Sequence, residues 1–270
     1  MKHYIIGILA AILFLSPCKG FGNTSSPKQI SEWRKDAAQG SAKAQFHLGG
    51  MYFNGEGVPQ NYAEALKWYS LAAQQGFADA QFNIGTMYYK GQGVPQSYAE
   101  ALKWYRLAAQ HGMALAQSNI GGMYDKGEGV PQNYAEALKW YRLAAQQGWA
   151  MAQYNLGWMY YAGRGVPQNY AAALKWYSLA ARQGMTLAQS NLGTMYAKGQ
   201  GVPQNYAKSL KWFHLAAQQG SAKALFSLGV MNYNGQGVQK NYAEALRFFR
   251  LAAQHGDTQA RIVLERLGEH

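Results

Sequence analysis

The chain predicts an all-α solenoid of six 36-residue helix-turn-helix repeats with a capping half-repeat at each end, and three observations predict it. A text of the form G-x-G-V-P-Q-N-Y-A-E-A-L-K-W-Y-x-L-A-A-Q-Q-G returns, with small changes, every 36 residues and six times in succession. A fixed period of this size marks a repeat array. Trp68, Trp104, Trp140, Trp176 and Trp212 keep the beat, and Phe248 holds the same place in the sixth unit. Each unit also carries two apolar stripes at helical spacing. One such unit cannot bury its own apolar face, so its neighbours must stack on it. The units are 41–76, 77–112, 113–148, 149–184, 185–220 and 221–256.

The first residues read as an export leader. Lys2 and His3 precede an uncharged run from Tyr4 to Leu15, and Gly20 and Gly22 supply small residues for cleavage after Gly22. The run is too short for a bilayer core of about 30 Å but suits a secretory signal. Residues 1–22 are therefore expected to be a signal peptide, and the mature chain to be periplasmic or secreted. Leu15-Ser16-Pro17-Cys18 offers the alternative of lipoprotein anchoring at Cys18, although Pro17 stands where that box wants a small residue. Cys18 is the only cysteine, so the mature chain has none for disulfides, thiolate metal sites or nucleophilic catalysis.

Residues 23–40 are expected to be a linker and a capping helix, with Trp33 and Ala37-Ala38-Gln39-Gly40 echoing the second helix of a unit. In the first full unit, Ala44, Leu48, Met51 and Tyr52 mark helix A, and Ala65, Trp68, Leu71 and Ala72 mark helix B. Between them Gly55 can take the left-handed conformation that ends a helix, and Pro59 prevents its continuation. Asn61 with Glu64 has the spacing of a capping box, which starts helix B at or near Tyr62. Gly76 ends it. Gly49 and its five equivalents (85, 121, 157, 193, 229) sit inside helix A, where glycine costs about 1 kcal/mol against alanine. That repeated cost predicts close backbone contact with a neighbouring helix. Residues 257–270 are expected to form a final capping helix with Arg261, Glu265 and Arg266 on its polar side.

The pattern A-x-A-Q-x-x-L-G-x-M-Y-x-x-G-x-G-V-x-x-x-Y-x-x-A-L-x-W-x-x-x-A-A-x-Q-G resembles the Sel1-like repeat, a relative of the tetratricopeptide repeat, over 41–256 without a gap. The resemblance implies a right-handed α/α superhelix with A helices lining the concave side. It further implies a non-enzymatic adaptor or scaffold for protein–protein interaction, in envelope assembly, signalling or host contact. A second class comes from cysteine-rich secreted relatives associated with β-lactam binding or hydrolysis; this chain lacks their paired cysteines.

No catalytic, cofactor or metal site is predicted. The G-x-G-V-P loops follow no strand and lack the third glycine of a nucleotide-binding turn, and there is neither an H-E-x-x-H pair nor a G-x-S-x-G elbow. Taking 100° per residue, positions 46, 50 and 53 fall opposite the Ala44/Leu48/Met51 stripe, toward the groove. Phe82, Thr86 and Tyr89 occupy them in the second unit, and Tyr154, Trp158 and Tyr161 in the fourth. Aromatic side chains bring much contact area with few torsions to freeze; the competing role is packing between repeats. Beside them runs an amide ladder of Asn83, Asn119, Asn155 and Asn191, flanked by His47 and Ser227. Such amides can hold a peptide backbone or bond to neighbouring helices. Tetratricopeptide domains place an asparagine similarly against bound peptides. The predicted partner-binding set is thus Phe82, Asn83, Tyr89, Asn119, Tyr154, Asn155, Trp158, Tyr161 and Asn191, for a protein or peptide partner.

The full chain carries 25 basic and 13 acidic residues, +12. Without Lys2 and Lys19 the balance is 23 against 13, or +10. Lys67, Lys103, Lys139, Lys175, Lys211 and Arg247 form a basic row on helix B, with Glu64, Glu100, Glu136 and Glu244 three residues before four of them. Ala172 and Lys208 replace the acid in units four and five, so positive charge collects between Arg164 and Lys211. This face is either solvated or a contact for anionic lipid or glycan, and the export leader argues against nucleic acid.

Overall fold

The computed structural model describes residues 27–269. The expected leader, the Cys18 alternative and linker residues 23–26 lie outside the described residues, as does His270. The described residues form fourteen helices and no strand, in two compact units that divide between Ser97 and Tyr98. In the first lie α1 (Pro27–Ala38), α2 (Ala42–Asn54), α3 (Tyr62–Gln74) and α4 (Ala78–Lys90). In the second lie α5 (Tyr98–Gln110), α6 (Ala114–Lys126), α7 (Tyr134–Gln146), α8 (Ala150–Ala162), α9 (Tyr170–Arg182), α10 (Thr186–Lys198), α11 (Tyr206–Gln218), α12 (Ala222–Asn234), α13 (Tyr242–Gln254) and α14 (Thr258–Arg266). Even numbers up to α12 are helix A of a repeat, and odd numbers from α3 are helix B.

Local chemistry sets the helix ends. Asn61, Asn133, Asn169, Asn205 and Asn241 each cap a B helix by accepting the backbone N–H three residues on. The capping box is only half made. The N–H of Asn61 is already taken by Tyr52 O at 2.8 Å, and that of Asn169 by Tyr160 O at 2.8 Å. Glu64 therefore turns to Lys67, 3.7 Å away. At the far end of α3, Gly76 has φ +81°, and Phe77 N–H returns to Ala72 O at 3.2 Å, the closing bond of a Schellman motif. Helix A starts differently: Ser41 and Ser221 cap through their hydroxyls, whereas Phe77, Met113, Trp149 and Met185 make no side-chain cap. Phe77 packs its ring 5.1 Å from Phe46 instead, exchanging a cap for apolar burial.

Helix A and helix B of one repeat run antiparallel. Gln45 meets Gln75, Gly49 meets Tyr69 and Tyr52 meets Asn61, so ascending numbers on one helix face descending numbers on the other. The glycines inside helix A are explained by a ring rather than by a neighbouring backbone. A Cβ on Gly49, Gly121, Gly157, Gly193 or Gly229 would stand 2.5–2.7 Å from the ring of Tyr69, Tyr141, Tyr177, Phe213 or Phe249, respectively. Those rings are buried, and Ala65, Ala72, Ala173 and Ala180 beside them have no exposed surface. The tryptophan beat is only half-buried and serves the seams between repeats: Trp176 packs on the preceding cluster of Ala137, Tyr141 and Met159, and Trp212 on that of Ala173, Tyr177 and Leu192.

A buried glutamine ladder ties neighbouring turns together. Gln153 Nε2 donates to Ala145 O at 3.2 Å, and its Oε1 accepts from Gln183 Nε2 at 2.8 Å. Gln45 with Gln75 and Gln189 with Gln219 repeat the pairing at 2.8 Å. In the sixth repeat Leu225 stands at the buried position and His255 at its mate, so both ends of the bond change together. A buried amide left without its partner costs about 1–3 kcal/mol. Gln183→Ala should destabilise by about that amount, whereas Gln153→Leu with Gln183→His should cost less than the sum of those two changes made singly; urea unfolding of the parent and the four variants measures the difference.

Both ends behave as caps. Ala37 of α1 is buried with Ala44, Leu48 and Met51, and Trp33 stacks 4.6 Å from His47. Asp257 caps α14, whose Ala260 and Leu264 are buried while Arg261, Glu265 and Arg266 face water. Ile262 and Leu267 are exposed beside them.

Candidate functional site

In α6, α8 and α10 one stripe stays less buried than the core, and it is turned from the expected one. In α6 it runs Leu115, Asn119, Gly122 and Lys126, in α8 Met151, Asn155, Trp158 and Ala162, and in α10 Leu187, Asn191, Thr194 and Lys198. The asparagines expected beside the groove stand in the middle of this stripe. The position of residue 46 turns inward instead: Phe82 is 8% exposed, Ser118 6% and Ser190 2%. Phe46 lies 5.7 Å from Tyr69, Tyr154 5.6 Å from Tyr177 and Phe226 5.5 Å from Phe249, each ring covering the buried ring of its own repeat. Phe82 is a packing residue by placement, and Tyr154 covers Tyr177 while staying half-buried, like Asn155 and Trp158.

Of the nine predicted residues, Phe82, Asn83 and Tyr89 belong to α4 of the first unit, with Asn83 and Tyr89 half-buried. The other six belong to the second unit. There Tyr154 shares a hydrogen bond with Asn191, which opposes the rise that burial imposes on its phenol pKa. Asn191 Oδ1 also accepts from Lys223 Nζ at 3.1 Å, so this amide is spoken for. Asn119 differs: its Nδ2 is buried with no hydrogen-bond partner. Asn155 is half-buried between the two. Trp158 stacks on Tyr161 with centroids 5.9 Å apart and planes 18° off parallel, and Tyr161 Oη donates to Gln200 Oε1 at 3.2 Å.

A constellation that the sequence reading did not assemble adjoins Trp158. Tyr161 faces Tyr170 at 5.2 Å, Phe53 faces Tyr62 at 5.2 Å, and Tyr233 faces Tyr242 at 5.1 Å. In the third repeat the first member of this ring pair is Asp125, opposite Tyr134. The guanidinium of Arg164 fills the gap, 5.5 Å from the Tyr134 centroid and 5.9 Å from that of Trp158. Its Nη1 stands 3.9 Å from Asp125 Oδ1. Burial raises the Asp125 pKa above its ordinary 3.8, with Arg164 and Lys126 pulling the other way. The signal was present in the sequence: Asp125 breaks a mostly aromatic column, and Arg164 is the one basic residue in the column Glu56, Gln92, Glu128, Arg164, Gln200, Gln236.

The placement of Arg164 also corrects the charge reading. It belongs to the helix-A side, against a carboxylate, and not with the outer basic row. Lys67, Lys103, Lys139, Lys175, Lys211 and Arg247 are all exposed, and the expected ion pairs Glu100–Lys103, Glu136–Lys139 and Glu244–Arg247 form at 2.5–2.6 Å. Exposed pairs of this kind contribute at most about 0.5 kcal/mol each. Among the described residues no three His, Cys, Asp or Glu side chains gather as a metal would require, and no helix is long and apolar enough to cross a membrane.

A family model described as the Sel1 repeat matches residues 42–77, 78–113, 114–149, 150–185, 186–221 and 222–257, six contiguous copies shifted one residue from the expected frame. A protective antigen present in uropathogenic Escherichia coli strains, displaying an SLR fold, is 38% identical with a TM-score of 0.84 over 89% of this chain. The match takes in 52% of the antigen, so the chain spans about half its length. A Sel1 repeat protein from Oxalobacter formigenes is 36% identical with a TM-score of 0.73, covering 83% of this chain and 90% of its own. No curated protein matches the chain.

Proposed function

The chain belongs to the Sel1 repeat family, whose helix-pair fold is generally a protein–protein interaction scaffold, and from that premise we propose that it is an exported adaptor that holds a protein partner against its helix-A stripe. The observation that carries this reading is the centre of the stripe in α6 and α8. Asn119 carries an amide nitrogen with no partner in the free chain, Asn155 follows one repeat on, and Trp158 stands half-buried beside it. An unmet amide donor can take a backbone carbonyl of a bound segment once the side chain rotates outward, and a flanking tryptophan supplies the apolar contact area from which binding hot spots are made. Export rests on the charge pattern of residues 1–22. The uropathogenic relative's description as a protective antigen fits a surface-accessible or released protein, and on that ground we place contact with a host or envelope protein first among the partners.

The test is capture. Parent protein and the Asn119→Ala/Trp158→Ala variant are immobilised and exposed to envelope and host-cell lysates, with circular dichroism confirming equal helix content. A defined protein retained by the parent and lost, at least tenfold, from the variant is the expected result. Equal retention on both would remove the stripe as the binding surface. Replacing Tyr154 instead should lower stability before it touches binding, because its ring lies on Tyr177.

A further inference from the structure

We infer that Asp125, Tyr134 and Trp158 form a binding site for a guanidinium group, occupied within the chain by Arg164 and available to an arginine side chain of the protein partner. The inference rests on the proposed adaptor reading only for what presents the arginine. Three observations carry it. First, the Asp125 side chain is 6% exposed and its Oδ1 has no hydrogen-bond partner, an unsatisfied buried acceptor whose nearby cation, Arg164, lies over two rings. Second, the guanidinium already present takes the place of a ring: its 5.5 Å from Tyr134 matches the 5.1–5.2 Å at which Phe53, Tyr161 and Tyr233 face their tyrosines. A planar cation thus fits the slot by size and by stacking. Third, Arg164 holds the slot loosely. It approaches the carboxylate only to 3.9 Å, outside hydrogen-bond range, and its side chain remains 38% exposed.

The neighbouring repeat shows what a settled partner looks like at this place. There Tyr161 donates a hydrogen bond to Gln200 at 3.2 Å, with the same 39-residue separation as Asp125 and Arg164. A carboxylate and a fork of N–H donors can make two parallel bonds, and the Asp125–Arg164 pair makes none at hydrogen-bond distance. A partner arginine could reach Oδ1 and stack on the same rings as Arg164, whose side chain is 38% exposed, swings to water. Cation replaces cation, so no net charge is buried. Lys126 and Glu128, paired at 3.6 Å, are the other charged groups at this end of α6.

The probe is N-acetyl-L-arginine amide, titrated at low salt while the indole Nε1–H resonance of Trp158, assigned by its loss in Trp158→Phe, is followed. Arg164→Gln adopts the residue found at this loop position in the two following repeats, and should bind the probe at least tenfold more tightly than the parent. Adding Asp125→Asn should abolish that gain, and N-acetyl-L-lysine amide should bind several-fold more weakly than the arginine probe. Unchanged affinity in a helical Arg164→Gln protein, or full binding without Asp125, overturns the site. A response to N-acetylglutamate that is lost with Arg164 overturns it too, and marks an anion site. Should Arg164→Gln unfold, Arg164→Lys, which keeps the charge without the fork, should gain threefold or more, and no gain is again a failure. Probe binding and lysate capture are read separately, so an empty slot leaves the Asn119 stripe standing, and a lost partner leaves the slot.

Discussion

Tyr177→Ala is expected to cost about 3–5 kcal/mol, the range for emptying a fully buried aromatic site. Tyr177 is 1% exposed and lies among Ala173, Ala180, Ala188, Leu192 and Met195, with Tyr154 leaning on its ring from the helix-A side. Gly157 gives the reason that the hole would persist. The ring runs 2.7 Å from where a Cβ on that glycine would be, so the backbone of α8 has no side chain to move into the space. Tyr177→Phe is the control. Phe213 and Phe249 hold this place in the next two repeats, so the hydroxyl is dispensable to packing. Urea unfolding followed by circular dichroism should show Tyr177→Phe within about 1 kcal/mol of the parent. It should also show Tyr177→Ala splitting the transition, because repeats are coupled chiefly to their nearest neighbours. A loss under about 1.5 kcal/mol in the alanine variant would mean that the repeat recloses over the cavity.

The parts of this fold that were legible in the sequence are those fixed within a few residues. Asn61 and Gly76 define the ends of α3 through bonds to their own helix, and the 36-residue period copies that solution along the chain. The direction of the open face was not local. Ala44, Leu48 and Met51 are apolar and read as the core stripe, but Gln45 and Gly49 are buried as well, the first by its bond to Ala37 O and the second by the Tyr69 ring. Adding them widens the buried arc on one side, and the open stripe turns by roughly 70–80° at about 100° per residue. Position 46 is thereby carried inward and position 47 outward, which is why the asparagines, and not Phe82 or Tyr154, stand at the centre. The Asp125–Arg164 contact spans 39 residues, one period and a loop offset, and neither residue signals it alone.

Gly201→Ala should be the most costly of the glycine changes, because there conformation and space fail together. Gly201 has φ +71°, and an added Cβ would stand 2.5 Å from Tyr170 C, 2.6 Å from Tyr170 O and 2.7 Å from Ala171 N. A left-handed alanine costs about 1–2 kcal/mol, and overpacking against atoms that cannot rotate away typically adds about 1–3 kcal/mol. Two other glycines separate the contributions. Gly163 has nearly the same φ, +69°, but its nearest contact is 3.3 Å, so Gly163→Ala should show mainly the conformational cost. Gly184, at φ +86° with nothing within 4 Å, should show that cost alone. The excess for Gly201 is then the price of pushing its loop off the start of α9, the helix B of the preceding repeat. Since that contact joins one repeat to the next, Gly201→Ala should uncouple α10–α14 from the helices before them in denaturant, whereas Gly184→Ala should leave the transition single. Equal losses at Gly201 and Gly184 would show that the loop yields freely and that the seam between repeats is held by Trp212 and its cluster instead.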